Sequence, residues 1–340
     1  MTLSKILLRF LVLILIYSPF SSQAQENDCV ILVYHRFSDD GPKSTSTSPS
    51  VFKQHLEYLK NNDFSVLPLK EVVRSLQSKQ SLPSNCISLT ADDGFLSIYT
   101  EAFPLLVEYQ FPMSVFVSTN SLDKKYNSMM TWSQLREMAP LIDIYNHSVN
   151  HLHLVNQGAQ TVEDEILFAQ IRIMTEMKTN DKFFAYPYGE FDDTTYSYLK
   201  SNNYIAFGQH SGVASQTSDF LNIPRFSMSG PYAEMSSFAL KVKTLDMPIE
   251  SSNPKSLIIS EDLRPVLNLN FSRELTSYEK NNFSCYVSGQ DKATLKWHSL
   301  QSVSVRSNNP LGTGRSRYNC TMPYKEAGQY YWFSKLWLKL

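Results

Sequence analysis

A chain of 340 residues with 31 basic and 32 acidic side chains carries a formal net charge of -1, which excludes an electrostatic case for nucleic acid or an anionic membrane surface as partner. Aromatic residues make up 13% of it, with 19 Tyr and 20 Phe, enough to bury a large core and to leave surfaces that stack on sugar. The length suits two domains better than one.

The first segment is not part of a fold. Lys5 and Arg9 precede an apolar run from Phe10 to Tyr17, followed by Ser18, Pro19 and the small-residue stretch Ser21-Ser22-Gln23-Ala24. This is the shape of an export signal over residues 1–24 with cleavage after Ala24. The run falls short of the ~20 apolar residues that span a bilayer, and no later segment is long and apolar enough. The mature chain is therefore expected to be periplasmic or secreted, with no integral membrane segment. Export makes disulfides of the four cysteines.

From Cys29 onward, short apolar runs alternate with helical patterns. The predicted strands are 29–35, 86–91, 113–118, 142–147, 183–187, 204–208 and 222–228, and helices are predicted near 51–61, 69–78, 97–109, 131–139, 161–179, 194–202 and 232–243. Such alternation argues for an α/β fold with a parallel sheet and helices outside it, and about seven strands suggest an incomplete (β/α) barrel over residues 25–247. Cys29 lies six residues before His35 and Cys86 six before Asp92. If those two strands are parallel neighbours in register, Cys29 and Cys86 sit side by side at the end opposite the polar residues. Cys285 and Cys320 are then left for each other.

Residues 248–256, "PIESSNPKS", read as a linker. Beyond it the helical period gives way to alternation, as in "VLNLNF" and "YYWFSKLWLKL", so residues 257–340 are expected to be a small all-β sandwich. An immunoglobulin-like arrangement is suggested by Cys285, Trp297 and the Tyr318-Asn319-Cys320 triplet. Tyr331, Trp332 and Trp337 are candidates for stacking on sugar.

In a parallel α/β fold, chemistry gathers at the C-terminal ends of the strands. Those ends carry His35, then Asp92-Asp93-Gly94, then "NHSVNH" with His147 and His151, then "YPYG" at 186–189. Two imidazoles four residues apart plus one carboxylate suit a catalytic divalent cation such as zinc, with positions left open. A second carboxylate beside them can take a proton from water on that cation. This explains adjacent like charges at a buried strand end: the cation offsets their repulsion.

In these motifs the sequence resembles the polysaccharide deacetylases, carbohydrate esterase family four. The family's three motifs appear in order as "TADDG" (90–94), "HSVNH" (147–151) and "FAYPYG" (184–189), and "VYHRF", "FPMSVFV" and "MTWSQL" resemble the branch acting on poly-N-acetylglucosamine. The resemblance covers roughly residues 29–245. It implies metal-dependent hydrolysis of N-acetyl groups on an N-acetylglucosamine-containing polysaccharide, with metal-bound water as nucleophile. It implies Asp92 as general base, Asp93, His147 and His151 as metal ligands, and the backbone N–H of Tyr188 as oxyanion donor.

Three positions depart from the family pattern. Ala91 stands where the first motif has Phe, and Ala185 where the third commonly has an Arg that orients the base. Arg225, in "IPRF", is the candidate substitute; alternatively it is a surface arginine beside a strand. The acid histidine is not marked by a motif: His210, in "GQHSG", is the first choice and His35 the second. The departures keep a second reading open, a non-catalytic glycan-binding protein on a deacetylase scaffold.

Overall fold

The computed structural model describes residues 25–325 and 328–340; the export signal expected over residues 1–24 lies outside the described residues. Seven strands lie close to the expected apolar runs: β1 (Asp28–Tyr34), β2 (Cys86–Asp93), β3 (Met113–Val117), β4 (Ile142–Asn146), β5 (Phe183–Ala185), β6 (Ile205–Phe207) and β7 (Phe226–Ser227). They run parallel in the order β6-β5-β4-β3-β2-β1-β7. All five residues of β3 are buried, as expected for a strand covered on both faces. Among the described residues β6 and β7 are not paired with each other; Phe207 meets Ile223 in an isolated bridge instead. The result is an incomplete barrel.

Helices cover the outside. Pro49–Asn61 starts on a proline, which suits the first helical turn, and buries Phe52, Leu56 and Leu59. Leu69–Gln77 buries Leu69, Val72, Val73 and Leu76. The segment expected as one helix over 97–109 is a π-turn, Ile98–Ala102, running into an α-helix, Phe103–Tyr109. Among the described residues no helix is long and apolar enough to cross a membrane.

Register fixes both ends of β1 and β2. Tyr34 pairs with Ala91 and Val30 with Ile87, so the preceding residues, Cys29 and Cys86, meet in a disulfide with Cα atoms 4.7 Å apart. At the other end His35 and Asp92 follow the last pair.

The C-terminal strands form two four-stranded sheets. One contains β8 (Leu245–Asp246), β11 (Ser284–Val287), β14 (Gly314–Pro323) and β15 (Tyr330–Lys339). The other contains β9 (Ile249–Asn253), β10 (Val266–Phe271), β12 (Thr294–Trp297) and β13 (Ser302–Arg306). Their inner faces enclose one core with Leu267, Leu269, Val303, Val305, Tyr318 and Trp337. Along β14, buried residues alternate with more exposed ones, the signature of a strand with one face on the core.

Several expectations change here. The stretch 248–256 contains an edge strand, β9, paired antiparallel with β10; its polar composition belongs to a sheet edge rather than a linker. Cys285 and Cys320 do pair, but they face each other on neighbouring strands of one sheet, whereas an immunoglobulin disulfide bridges the two sheets. Trp297 stacks on Phe271 and meets Phe283 edge-on rather than packing on that disulfide. Tyr318 does resemble a tyrosine corner: its hydroxyl donates to the Pro265 carbonyl at 2.9 Å and accepts from Ser307 N–H at 3.0 Å. Trp337 is 1% exposed and is core, not a sugar platform. Trp332 packs edge-on against Phe226 of the half-barrel.

Candidate metal centre and groove

The site sits at the C-terminal ends of the parallel strands. Consecutive residues on an extended strand point to opposite faces, so two adjacent aspartates would normally diverge. Asp93 leaves the extended conformation at φ 76°, and Gly94 follows at φ 88°, where glycine costs least. Both carboxylates consequently act on His35 and His147.

Asp92 is fully buried and held by Arg225, which is also fully buried. The guanidinium is bidentate, Nη1 to Oδ1 at 2.8 Å and Nη2 to Oδ2 at 2.7 Å. Two further donors go to Thr90 Oγ1 at 3.2 Å and the Gly208 carbonyl at 3.0 Å, so four of its five N–H groups are engaged. Burial pushes the Asp92 carboxyl up, but Arg225, His147 and His35 outweigh it and hold it below its ordinary value. Arg225 is thus an interior partner of Asp92, not a surface arginine.

Asp93 Oδ1 lies 3.4 Å from His147 Nε2 and 3.2 Å from His151 Nε2. His147 Nδ1 donates to the Ala185 carbonyl at 2.8 Å; a carbonyl can only accept, so Nε2 carries the lone pair. Asp93 Oδ1 and His147 Nε2 are buried with no hydrogen-bond partner among the described residues. Two orphaned buried atoms, with ligand atoms from all three residues within 4.8 Å of one another, fit a cation between them. Burial depresses the His147 imidazole, yet Asp93 and Asp92 reverse this and raise it. A cation there would be bound by the neutral ring, whose lone pair on Nε2 faces it. Burial likewise pushes the Asp93 carboxyl up, and the adjoining imidazoles of His147 and His151 bring it well below its ordinary value. The two histidines reach one point from a loop in which Ser148 and His151 have φ 69° and 56°.

Tyr188, at φ 60° and ψ 1° in the Pro187–Gly189 turn after β5, forms the wall beside His151. Its ring meets His151 edge-on at 4.5 Å and lies flat on His153 at 3.8 Å between centroids. Ala91 is fully buried, paired with Tyr34 and Val115, so the strand end is packed despite the small side chain. Ala185 contributes its carbonyl, and Arg225 brings the guanidinium from β7's approach instead.

The two candidate acid histidines separate. His35 is 9% exposed, and its Nδ1 is buried without a partner among the described residues. Burial lowers its imidazole, with Asp92 and Asp93 opposing. His210 lines a cavity of ≈ 580 Å³ between half-barrel and sandwich, together with Asp246 and Lys335. Burial and the cations Arg317, Lys335 and Arg225 push it down to about 3. Of the two rings, His35 is the one on which Asp92 and Asp93 act. His153, Glu190 and Arg315 also border the wall and were not expected. His153 carried a signal, standing two residues after the second motif; Arg315 carried none.

Residues 79–207 match the polysaccharide deacetylase family model. The chain carries a polysaccharide deacetylase domain. Over 234 residues it is 26% identical to the poly-beta-1,6-N-acetyl-D-glucosamine N-deacetylase of Staphylococcus epidermidis, covering 60% of this chain and 80% of the relative. The Staphylococcus aureus enzyme of the same name is 25% identical over 242 residues, 62% of this chain and 82% of the relative. Among solved structures, Streptococcus pyogenes deacetylase PplD in complex with acetate superposes with a TM-score of 0.59 at 24% identity, over 63% of this chain and 98% of that one. IcaB from Ammonifex degensii gives 0.58 at 24% identity, over 64% and 98%. The deacetylase domain thus resembles the poly-N-acetylglucosamine branch, and the shared fold is the half-barrel.

Proposed function

We propose that this chain is an exported, metal-dependent N-deacetylase of an N-acetylglucosamine-containing polysaccharide. The observation that carries the reading is the convergence, at one end of the half-barrel, of the Arg225-held Asp92 with the open Asp93, His147 and His151 set. Asp93, His147 and His151 would hold a divalent cation, and two imidazoles with one carboxylate make zinc our choice. When bound, the cation supplies charge that polarises a carbonyl and makes a neighbouring water acidic enough to yield a proton to a weak base.

Asp92 takes that proton as general base. Arg225 keeps it ionised and fixes both its oxygens, so no reorganisation accompanies the transfer. The Tyr188 backbone N–H, on the wall beside His151, would donate to the oxygen on which charge develops. His35, whose ring lies beside both carboxylates, gives a proton to the departing amine. Two disulfides agree with an oxidising compartment.

Acetate release assayed in parallel on chitin oligomers, peptidoglycan and poly-N-acetylglucosamine tests the proposal. Release from one of them, abolished by chelation and restored by zinc, is expected. Glycan binding with no acetate released from any of the three would overturn it in favour of a non-catalytic binding protein.

A further inference from the structure

The wall that carries Tyr188 is held from outside the half-barrel. Arg315, the second residue of β14, donates from Nη1 to the Tyr188 carbonyl at 2.8 Å, and its Nε lies 3.4 Å from Glu190 Oε1. The other Glu190 oxygen is 2.6 Å from His153 Nδ1, and the His153 ring is stacked within 4° of parallel on Tyr188. The guanidinium carbon lies 5.6 Å from the Tyr188 ring centroid. Arg315 and His153, both gripped by Glu190, therefore clamp Tyr188 through its carbonyl and its ring. The clamp has work to do, because a non-glycine residue at φ 60° persists only where its surroundings over-determine it. A second contact reinforces it: Arg317 Nη2 donates to the Gln209 carbonyl at 3.3 Å, and Gly189 backs so closely onto Gln209 that a Cβ would lie 2.9 Å from its backbone nitrogen.

We propose that Arg315 is a positioning residue for the hydrolytic site, and that the sandwich, through it, completes the site by fixing the Tyr188 peptide. This rests on the deacetylase reading above. Holding the Tyr188 carbonyl, in the peptide that follows it, together with its ring restrains both torsions at its Cα, and through them the preceding Pro187–Tyr188 peptide that carries its N–H, a donor that matters in the transition state more than in the bound substrate. The side chain is 36% exposed, so its loss should leave the fold intact.

The test compares full-length wild type, Arg315→Ala and Arg315→Lys by kinetics on a β-1,6-linked N-acetylglucosamine pentamer, metal content, thermal midpoint and amide hydrogen exchange. Arg315→Ala should lower kcat about 10- to 100-fold with KM within about twofold, unchanged metal content and faster exchange over 186–190 but not over 113–117. Arg315→Lys, which can reach one acceptor at a time, should fall between. A kcat within about twofold of wild type overturns the proposal, as does a fall in kcat that tracks lost metal or a lowered thermal midpoint. If wild type releases no acetate, the deacetylase reading has failed on its own, and exchange decides: faster exchange over 186–190 in Arg315→Ala upholds the clamp, unchanged exchange overturns it.

Discussion

The half-barrel and the sandwich are each stapled by one disulfide between neighbouring strands, yet only one of them collects chemistry. In the half-barrel β1 to β7 run the same way, with only the short Ala214–Ser215 segment antiparallel to β1 among the described residues, so their C-terminal residues meet at one edge and Asp92, Asp93, His147 and Tyr188 converge. In the sandwich most neighbours are antiparallel, so strand ends alternate between two rims. Its charges pair locally at the surface, Arg306 with Asp262 and Arg273 with Glu279. Strand direction, more than residue type, decides whether polar side chains become a site. The sandwich reaches the chemistry at its rim, through Arg315.

The largest effect expected from this contrast is on turnover. Asp92→Asn should lower kcat by roughly 10³-fold, the scale of a lost general base, while metal content stays at the wild-type level, because Asn fills the space and keeps an acceptor. Asp262→Asn, which breaks an exposed pair in the sandwich, should leave kcat within about twofold and stability within about 1 kcal/mol. Comparable losses of turnover in both would break the contrast.

Next in size are the disulfides. The chain-entropy model gives roughly 4 kcal/mol for each, since loops closed over separations of 57 and 35 residues differ little on a logarithmic scale. Cys29→Ser/Cys86→Ser should lower the melting transition that carries the metal, and Cys285→Ser/Cys320→Ser a separate one. A single transition lowered equally by both would mean that the two regions fold as one unit.

The smallest effect lies at the seam. Burial pushes the Asp246 carboxyl up to about 7, with Asp28 adding to it. A raised folded pKa means the stability it allows is fully present below pH ~4 and is lost as pH rises towards 7. Lys335 is its mirror: burial, then Lys255, lowers it to about 7, so its cost is relieved as pH rises above 7. Asp246→Asn should therefore raise the thermal midpoint at pH 8 and leave it unchanged at pH 4; an equal rise at both would remove the assignment.

The half-barrel was legible because its signals are local. Apolar-rich runs mark β1 to β4, interrupted by Ser88 and Thr90 in β2, Ser114 in β3 and Asp143 in β4, and equal six-residue offsets of Cys29 from His35 and Cys86 from Asp92 report a shared register. The motif residues stand at strand ends that topology brings together. The sandwich was less legible: alternation identifies strands but not which sheet each joins, so Cys285–Cys320 looked like a bridge between sheets. Strand β9 was hidden because an exposed edge tolerates Ser, Asn and Glu. His210 and His35 both follow predicted strands, and only packing shows which faces the carboxylates. Arg315 could not be found, since its partner Tyr188 lies 127 residues away and neither position marks the other.

The most direct measurement of the central claim is metal stoichiometry in the purified full-length chain, compared for wild type, Asp92→Asn and His147→Ala. The open Asp93, His147 and His151 set predicts one divalent cation per chain in the first two and loss of it in His147→Ala. A His147→Ala protein that keeps one cation at wild-type affinity would contradict the account.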